Sequence, residues 1–370
     1  MAPEDTLTGS LAVKTIFDPI TIGDLQLPNR IFMSPMTRGR ADLGGVPNTL
    51  MGKYYSLRAD AGLIITEATA ISPQGAGWIG APGIWNEAQV KGWKLVTDAV
   101  HAMNGHIFLQ LWHMGRVSHP DFLEGELPVA PSEIAAHGET TTPSGKKKYV
   151  TPRALSVQDI KATIQDYALG AKHAIQAGFD GVEIHGANGY LIDQFIRDGS
   201  NKRTDEYGGS IEKRLRFLLD VTSAVIAAVG ANKVGVRLSP KGAYNDMHDS
   251  DPIKTFCSAA EMLNGLKIAY LHTMEPLPGH MMAAEGERIT PHIRKVFPGM
   301  LVTNGGYNLK LANKAIANND ADAFAFGVSF LANPDLVTRF RKNITLNAPD
   351  FNTFYTAGPK GYTDYPGMED

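Results

Sequence analysis

A histidine, an asparagine and a tyrosine follow one another closely in His185-Gly-Ala-Asn188-Gly-Tyr190, directly after the strand-like run Gly181-Val-Glu-Ile184. Two of these side chains can donate hydrogen bonds and the third is a weak acid. Two donors polarise a carbonyl and stabilise the charge that develops on its oxygen, while a phenol delivers a proton. Such groups at the end of a strand point to the mouth of a (β/α)8 barrel, where that architecture keeps its chemistry. A lone histidine reads as a satisfied core residue. Asn188 and Tyr190 in the same loop weaken that reading for His185.

Side chains alternate across a strand. Ile107, Leu109 and Leu111 share one face of a strand-like run, and Phe108, Gln110 and Trp112 share the other. Val182 and Ile184 oppose Gly181, Glu183 and His185, and Val234, Val236 and Leu238 oppose Gly235, Arg237 and Ser239. The uniformly apolar faces suit packing against helices. The opposite faces then gather Gln110, Trp112, Glu183, His185 and Arg237 near one axis. A desolvated arginine needs something anionic or rich in acceptors beside it. Either Glu183 is that partner and Arg237 is structural, or Arg237 faces the electron-rich edge of a ligand.

The same rhythm runs along the chain. Its patterns predict strands over Arg30–Met36, Gly62–Ile71, His106–His113, Asp180–His185, Lys233–Pro240, Ile268–Pro276, Met300–Gly306 and Ala323–Phe330. Between them lie helix-period runs over Glu87–Met103, Val157–Gly178, Ile211–Val229, Ile253–Leu263, Leu309–Asn319 and Pro334–Asn343. This alternation implies βαβ units and a parallel sheet. Eight such units predict an α/β fold, a closed (β/α)8 TIM barrel in a single domain over residues 1–370. No Gly-x-Gly-x-x-Gly follows the first strand, which counts against an open dinucleotide-binding sheet. Residues 128–153, rich in Gly, Pro, Ser, Thr and Lys, break the rhythm after the third strand. They read as a lid or hairpin, or as a passive excursion, with Lys146-Lys147-Lys148 as a solvated face.

Composition narrows the functional classes. The formal net charge is −3 and the only cysteine is Cys257. Scattered basic residues leave no footprint for nucleic acid or for a membrane surface. No apolar run approaches the ~18 uncharged residues of a membrane span. Cys257 reads as a small core filler, which fits a reducing compartment. Glu4 and Asp5 stand where a signal peptide is basic and then apolar, so no such peptide is expected and a cytoplasmic location is.

Further motifs surround the His185–Phe195 segment. They begin with Phe17-Asp-Pro-Ile20, Pro28-Asn-Arg30, Ser34-Pro-Met-Thr-Arg38, Glu67-Ala-Thr69 and Gln110-Leu-Trp112. They continue with Arg203-Thr-Asp-Glu-Tyr-Gly-Gly-Ser-Ile-Glu212, Gly235-Val-Arg-Leu-Ser-Pro240, Asn333-Pro-Asp335 and Gly361-Tyr-Thr-Asp-Tyr-Pro366. Any one is a weak signal. All of them in order, over almost the whole chain, resemble the Old Yellow Enzyme family of flavin-dependent ene reductases.

That resemblance implies FMN held non-covalently at the C-terminal mouth of the barrel, with NAD(P)H as electron donor. By it, Pro35, Met36, Thr37, Ala68, Gln110 and Arg237 would line the isoalloxazine. Thr37 would sit near O4, Gln110 at the pyrimidine ring, and Arg237 beside N1 and O2. Gly305, Gly306 and Gly327, with Val328 beside them, would meet the phosphate through backbone amides. His185 and Asn188 would donate to the carbonyl or nitro oxygen of an activated alkene, such as an enone, enal, maleimide or nitroalkene. Hydride would pass from flavin N5 to the β-carbon, and Tyr190 would protonate the α-carbon from the opposite face. Trp112 and Tyr355 would shape the substrate pocket, and Phe354 either joins them or simply packs. Monomers and homodimers both suit this barrel.

One position departs from the family pattern. The family shows Gly-Arg in the eighth strand, with the arginine clamping the phosphate, whereas this chain has Gly327-Val328-Ser329. A loosely held FMN is therefore expected, with Ser329 or a nearby lysine compensating in part. The segments Lys241–Asp249, with Tyr244 and His248, and Glu275–His280 fall at the mouth without an assigned role. Two other classes are open to test. A metal-dependent barrel hydrolase would use His113, His119 and His185, but no close His-x-His pair or acidic ligand cluster accompanies them, so no metal is expected. A non-catalytic or redox-sensing flavin barrel is suggested by Val328 alone, and the intact His185, Asn188 and Tyr190 oppose it.

Overall fold

The computed structural model describes residues 14–280 and 284–368; the N-terminal stretch for which no signal peptide is expected lies outside them. Eight parallel strands close into one barrel, as the alternation predicts. They are β1 Ile31–Met33, β2 Leu63–Ala70, β3 Ile107–Trp112, β4 Gly181–Gly186, β5 Val234–Leu238, β6 Tyr270–Met274, β7 Leu301–Asn304 and β8 Ala323–Phe326. Each strand pairs with the next in sequence, and β8 closes onto β1 through Phe324 and Ile31.

One longer helix follows each strand: α1 Thr49–Ser56, α2 Glu87–His101, α3 Val157–Gln176, α4 Ile211–Val229, α5 Pro252–Gly265, α6 Thr290–Val296, α7 Leu309–Ala317 and α8 Leu336–Lys342. Local chemistry starts several of them. Asn86 with Gln89, and Ser156 with Asp159, form capping boxes that satisfy the first free amides of α2 and α3. Asp251 caps α5 ahead of Pro252, whose missing N–H costs nothing at a helix start.

The strand faces divide as the alternation requires. Ile107, Leu109, Leu111, Val182, Ile184, Val234, Val236 and Leu238 are buried in the layer between barrel and helices. Phe32, Leu63, Ile65, Phe108, Tyr270 and Val302 form a second cluster, joined by Ile20, Ile22 and Leu27 of an antiparallel pair, Ile20–Ile22 with Leu25–Leu27. Burying each such side chain contributes about 1.5–3 kcal/mol of transfer free energy. This apolar interior leaves polar inward residues only toward the other end.

Several boundaries differ from the sequence reading. The eighth strand stops at Phe326, and Val328–Ala332 is a short helix rather than the end of a strand. Gly327 takes φ −94 and ψ −88 as its N-cap, which turns the chain out of the barrel. The first strand stops at Met33; Ser34 N–H still bonds Phe326 O at 3.0 Å, but Pro35 has no N–H to continue the ladder. The sixth and seventh strands end at Met274 and Asn304, short of Pro276 and of Gly306. Helices α1 and α6, and a further short helix Leu191–Ile196, have too few turns to stand out by periodicity.

Within residues 128–153, Glu139–Thr142 pairs antiparallel with Gly145–Lys148, whose lysines are exposed. Val129–Ala130 pairs with Arg153–Ala154, so the two ends of the excursion are held together.

Candidate active site

The loop after β4 carries the catalytic candidates and is tied down from beneath. Asn188 takes the left-handed backbone conformation, φ 58, and its N–H donates to Ser239 Oγ at 2.7 Å. Gly189, φ 74, donates its N–H to Asp193 Oδ2 at 2.8 Å. Asp193 in turn forms a buried ion pair with Arg197, Nε to Oδ1 2.8 Å. Gln194 Nε2 donates to Gly189 O at 2.8 Å and to Met114 O at 3.2 Å. The short helix Leu191–Ile196 thus uses two polar residues to fix the loop that precedes it.

The ring of Tyr190 stands edge-on to His185 and to Trp112, with both pairs of ring centroids 5.0 Å apart. Burial, and then the neighbouring phenols of Tyr244, Tyr149 and Tyr355, push the Tyr190 hydroxyl well above its ordinary pKa, so it stays protonated. Burial, with Arg237 and His272 nearby, holds His185 well below its ordinary value. His185 is therefore neutral and keeps one N–H to donate. Its Nδ1 is buried without a hydrogen-bond partner among the described residues.

Strand register builds the floor of the site. Glu183 lies beside Gln110, and His185 beside Arg237, which lies beside His272. Glu183 accepts from Gln110 Nε2 at 2.8 Å, from Tyr270 Oη at 3.0 Å and from His272 Nδ1 at 2.9 Å. Burial disfavours its charge, but His272, Arg237 and Gln110 outweigh that and hold the carboxyl below its usual range. The expected alternative of Arg237 paired with Glu183 is not the arrangement found. Arg237 instead donates to Asn304 Oδ1 at 3.2 Å, while its Nε is buried without a partner among the described residues. A guanidinium left with a spare donor at a cavity wall suits an acceptor-rich ligand edge.

Two adjoining cavities open on these groups. The smaller, about 150 Å³, is lined by Pro35, Thr37, Ala68, Gln110, His185, Asn188, Tyr190 and Arg237, with Trp78, Tyr244 and Tyr355. The larger, about 470 Å³, shares Pro35, Asn188, Arg237, Tyr244 and Tyr355 and runs past Met36 to Gly305, Gly306, Gly327, Val328 and Ser329. That volume lies in the range of small-molecule sites. Gly305 and Gly306 take φ 122 and φ 81, and a Cβ on Gly305 would lie 2.6 Å from Pro276 Cα. Only glycine fits there, which leaves backbone rather than side chain facing the cavity. Val328 is partly exposed at this end.

The C-terminal segment covers the mouth because buried arginines hold it. Arg38 donates to Phe354 O at 3.1 Å and to Gly361 O at 2.7 Å. Arg40 reaches Thr353 O, Phe354 O and Gly358 O at 3.0 Å each. Glu67 Oε2 accepts from the backbone N–H of Arg38 at 3.0 Å and of Gly39 at 3.2 Å, which fixes the loop after β1. Tyr355 then lies against Trp78, ring centroids 5.4 Å apart.

The expected site residues therefore meet around the two cavities, with two exceptions. Trp112 is buried behind Tyr190 and lines neither cavity, and Phe354 packs against Phe351 instead, centroids 4.8 Å apart. Trp78 and Asn304 line the site without having been expected there, and Tyr244, left without a role at the mouth by the sequence, joins them. Trp78 and Asn304 belong to loops and strand ends whose partners are distant in sequence, so no local pattern marks them. His113 accepts from Gly115 N–H through Nδ1 at 3.1 Å, and burial pushes its pKa down to about 3. Among the described residues no three His, Cys, Asp or Glu side chains converge as a metal site.

A neutral histidine, a protonated phenol and a spare guanidinium thus meet at the C-terminal mouth of a closed parallel barrel, an arrangement that suits a barrel enzyme acting on an acceptor-rich ligand. The comparisons agree. Residues 15–347 match the model of the NADH:flavin oxidoreductase / NADH oxidase family, and the chain belongs to that family. It is 44% identical over 371 residues to 12-oxophytodienoate reductase 7 of Oryza sativa subsp. japonica, covering 95% of this chain and 94% of the relative. It is 43% identical to a probable flavin mononucleotide-dependent alkene reductase of Leishmania infantum, over 97% of this chain and 99% of the relative. The Old Yellow Enzyme homologue of Zymomonas mobilis superposes with a TM-score of 0.94 at 48% identity, covering 95% of this chain and 99% of that one. The protein is an FMN-dependent oxidoreductase of Old Yellow Enzyme type.

The residues present fit FMN. Arg237 Nε has no partner among the described residues, and the glycines at the far end of the larger cavity leave backbone exposed to it. No helix among the described residues is long and apolar enough to cross a membrane.

Proposed function

We propose that the protein is an NAD(P)H-dependent ene reductase acting on activated alkenes. The observation that carries this reading is the convergence of His185, Asn188 and Tyr190 on one small cavity beside Arg237. When bound, FMN supplies the hydride that NAD(P)H has delivered to it. Pro35, Met36, Thr37, Ala68, Gln110 and Arg237 would hold its ring system, and Gly305, Gly306 and Gly327 its phosphate.

The protein's own groups then do three things. His185 and Asn188 donate to the carbonyl or nitro oxygen of the alkene and stabilise the charge that grows there. A donor of this kind is worth about 2.7–4 kcal/mol in the transition state. Tyr190, kept protonated by burial, delivers its phenolic proton to the α-carbon. Tyr244 and Tyr355 wall the cavity and limit water. The excursion 128–153 acts as a lid in this reading, since His137 reaches across to Asp246, Nδ1 to Oδ2 2.8 Å. A single 1–370 domain, a cytoplasmic location and a monomer or homodimer complete the proposal.

The decisive experiment is Tyr190→Phe followed in separate half-reactions. Reduction of bound FMN by NADPH or NADH should be unchanged, and reoxidation by an enone such as 2-cyclohexenone should slow by about 10²–10⁴-fold. Reoxidation at the full rate would remove Tyr190 from the role.

A further inference from the structure

The loop after β5, left without a role by the sequence, touches both Asn188 and Tyr190. Asn245 Nδ2 donates to Asn188 O at 2.9 Å. The same side chain lies at the Tyr190 hydroxyl, where it opposes the rise in pKa that burial causes.

We infer that Asn245 is a positioning residue for Tyr190: its carboxamide N–H donates onto the phenol oxygen, which leaves the phenol's own proton free for the substrate. This inference rests on Tyr190 being the proton donor.

Three observations beyond that contact support it. First, Asn245 and Asp246 are consecutive residues in the left-handed region, φ 59 and φ 62. Such backbone costs about 1–3 kcal/mol per residue and persists where the surroundings enforce it. Second, the enforcing contacts are present. Buried Arg116 donates to Asp246 O at 2.9 Å and to Asn245 O at 3.3 Å, and Asp246 Oδ2 accepts from the His137 backbone N–H at 3.2 Å. Third, the two loops meet where only glycine fits, because a Cβ on Gly189 would lie 2.7 Å from Asn245 Cβ. The carboxamide is thus held against the Asn188–Tyr190 turn by residues from three other parts of the chain.

The chemistry follows from donor count. A carboxamide nitrogen has two N–H groups; one serves Asn188 O, which leaves the second for the Tyr190 oxygen. A phenol that receives a hydrogen bond does not spend its own proton, and the same donor steadies the phenolate once that proton has gone. Burial raises the Tyr190 pKa, and the Asn245 contact opposes that rise.

Two variants test this in the full-length, FMN-loaded protein. Asn245→Gly keeps the left-handed backbone without the side chain, and Asn245→Asp keeps the size but has no N–H. Both should reduce their flavin with NADPH within twofold of the parent rate and reoxidise with 2-cyclohexenone at least tenfold more slowly. The solvent deuterium isotope effect on reoxidation should rise in both. With tyrosine labelled at Cζ, the ¹³C resonance assigned through Tyr190→Phe should shift in Asn245→Gly. Parent-rate reoxidation in both Asn245 variants beside a slow Tyr190→Phe would overturn the positioning role and leave the proton donor in place. Equal slowing of both half-reactions would also overturn it, as general disruption of the site. Full-rate reoxidation by Tyr190→Phe would remove the donor itself.

Discussion

Gln110 Nε2 donates a 2.8 Å hydrogen bond to Glu183 Oε1 between register partners of β3 and β4. That bond orients the amide. A carboxylate takes only the NH2 end of Gln110, so the carbonyl end is the one left for the cavity. Tyr270 and His272 of β6 crowd the other oxygen of Glu183, which makes the carboxylate the shared acceptor for donors from two other strands.

Glu183→Ala should therefore be costly. It strands three buried donors and leaves the Arg237 charge without its nearby carboxylate. Removing one partner from a buried charged network costs about 3–5 kcal/mol. Urea unfolding of the cofactor-free variant should show a loss of that size. A loss below about 1 kcal/mol, the scale of exposed pairs, would mean that the network is not holding the barrel interior.

Val328 lies at the end of the larger cavity, where Gly305, Gly306 and Gly327 offer backbone alone. Val328→Arg would add a charged donor there, worth about 1.5–3 kcal/mol against a phosphate. FMN titrated into the apoprotein by fluorescence quenching should bind about tenfold to a hundredfold more tightly. Unchanged or weaker binding would show that backbone amides carry the phosphate by themselves.

Asp60 makes stability depend on pH. It lies just after α1, and its Oδ1 is buried without a partner among the described residues. Burial raises its pKa from 3.8 to about 7, against the Thr338 backbone N–H and Arg58. The folded chain thus keeps a proton that the unfolded chain releases. That stability is complete below the unfolded value of 3.8 and is lost as pH rises through about 7. The melting temperature should fall between about pH 4 and about pH 7, and Asp60→Asn should flatten that fall. An unaltered slope in the variant would place its origin elsewhere.

Much of the barrel could be read from the chain because period-2 alternation survives in its strands. Ile107, Leu109 and Leu111 had to face helices, and Gln110 had to face the axis, whatever their partners. The His185–Tyr190 cluster was legible for a related reason: its members are close in sequence, so one turn suffices to present them together. The helix at Val328 was not, since its five residues carry no full period and follow an apolar strand without a break.

The partner of Arg237 shows where sequence stops. Alternation put Glu183 and Arg237 on the same side of neighbouring strands, and nothing local separates an ion pair from a near miss. Register decides it: Glu183 pairs with Gly235, and His185 with Arg237, so the two charges are offset by two residues. Glu183 is taken by Gln110, Tyr270 and His272, and Arg237 turns to Asn304. The same holds for Asn245, which reaches Asn188 O because Arg116 and Gly189 bring two loops together. By itself the sequence determined which residues face the axis and which turn carries the donors, because both depend on neighbours along the chain. The tertiary structure alone decided which buried donors are spent on the protein and which remain for a ligand, because that depends on strand offsets and loop contacts between residues far apart.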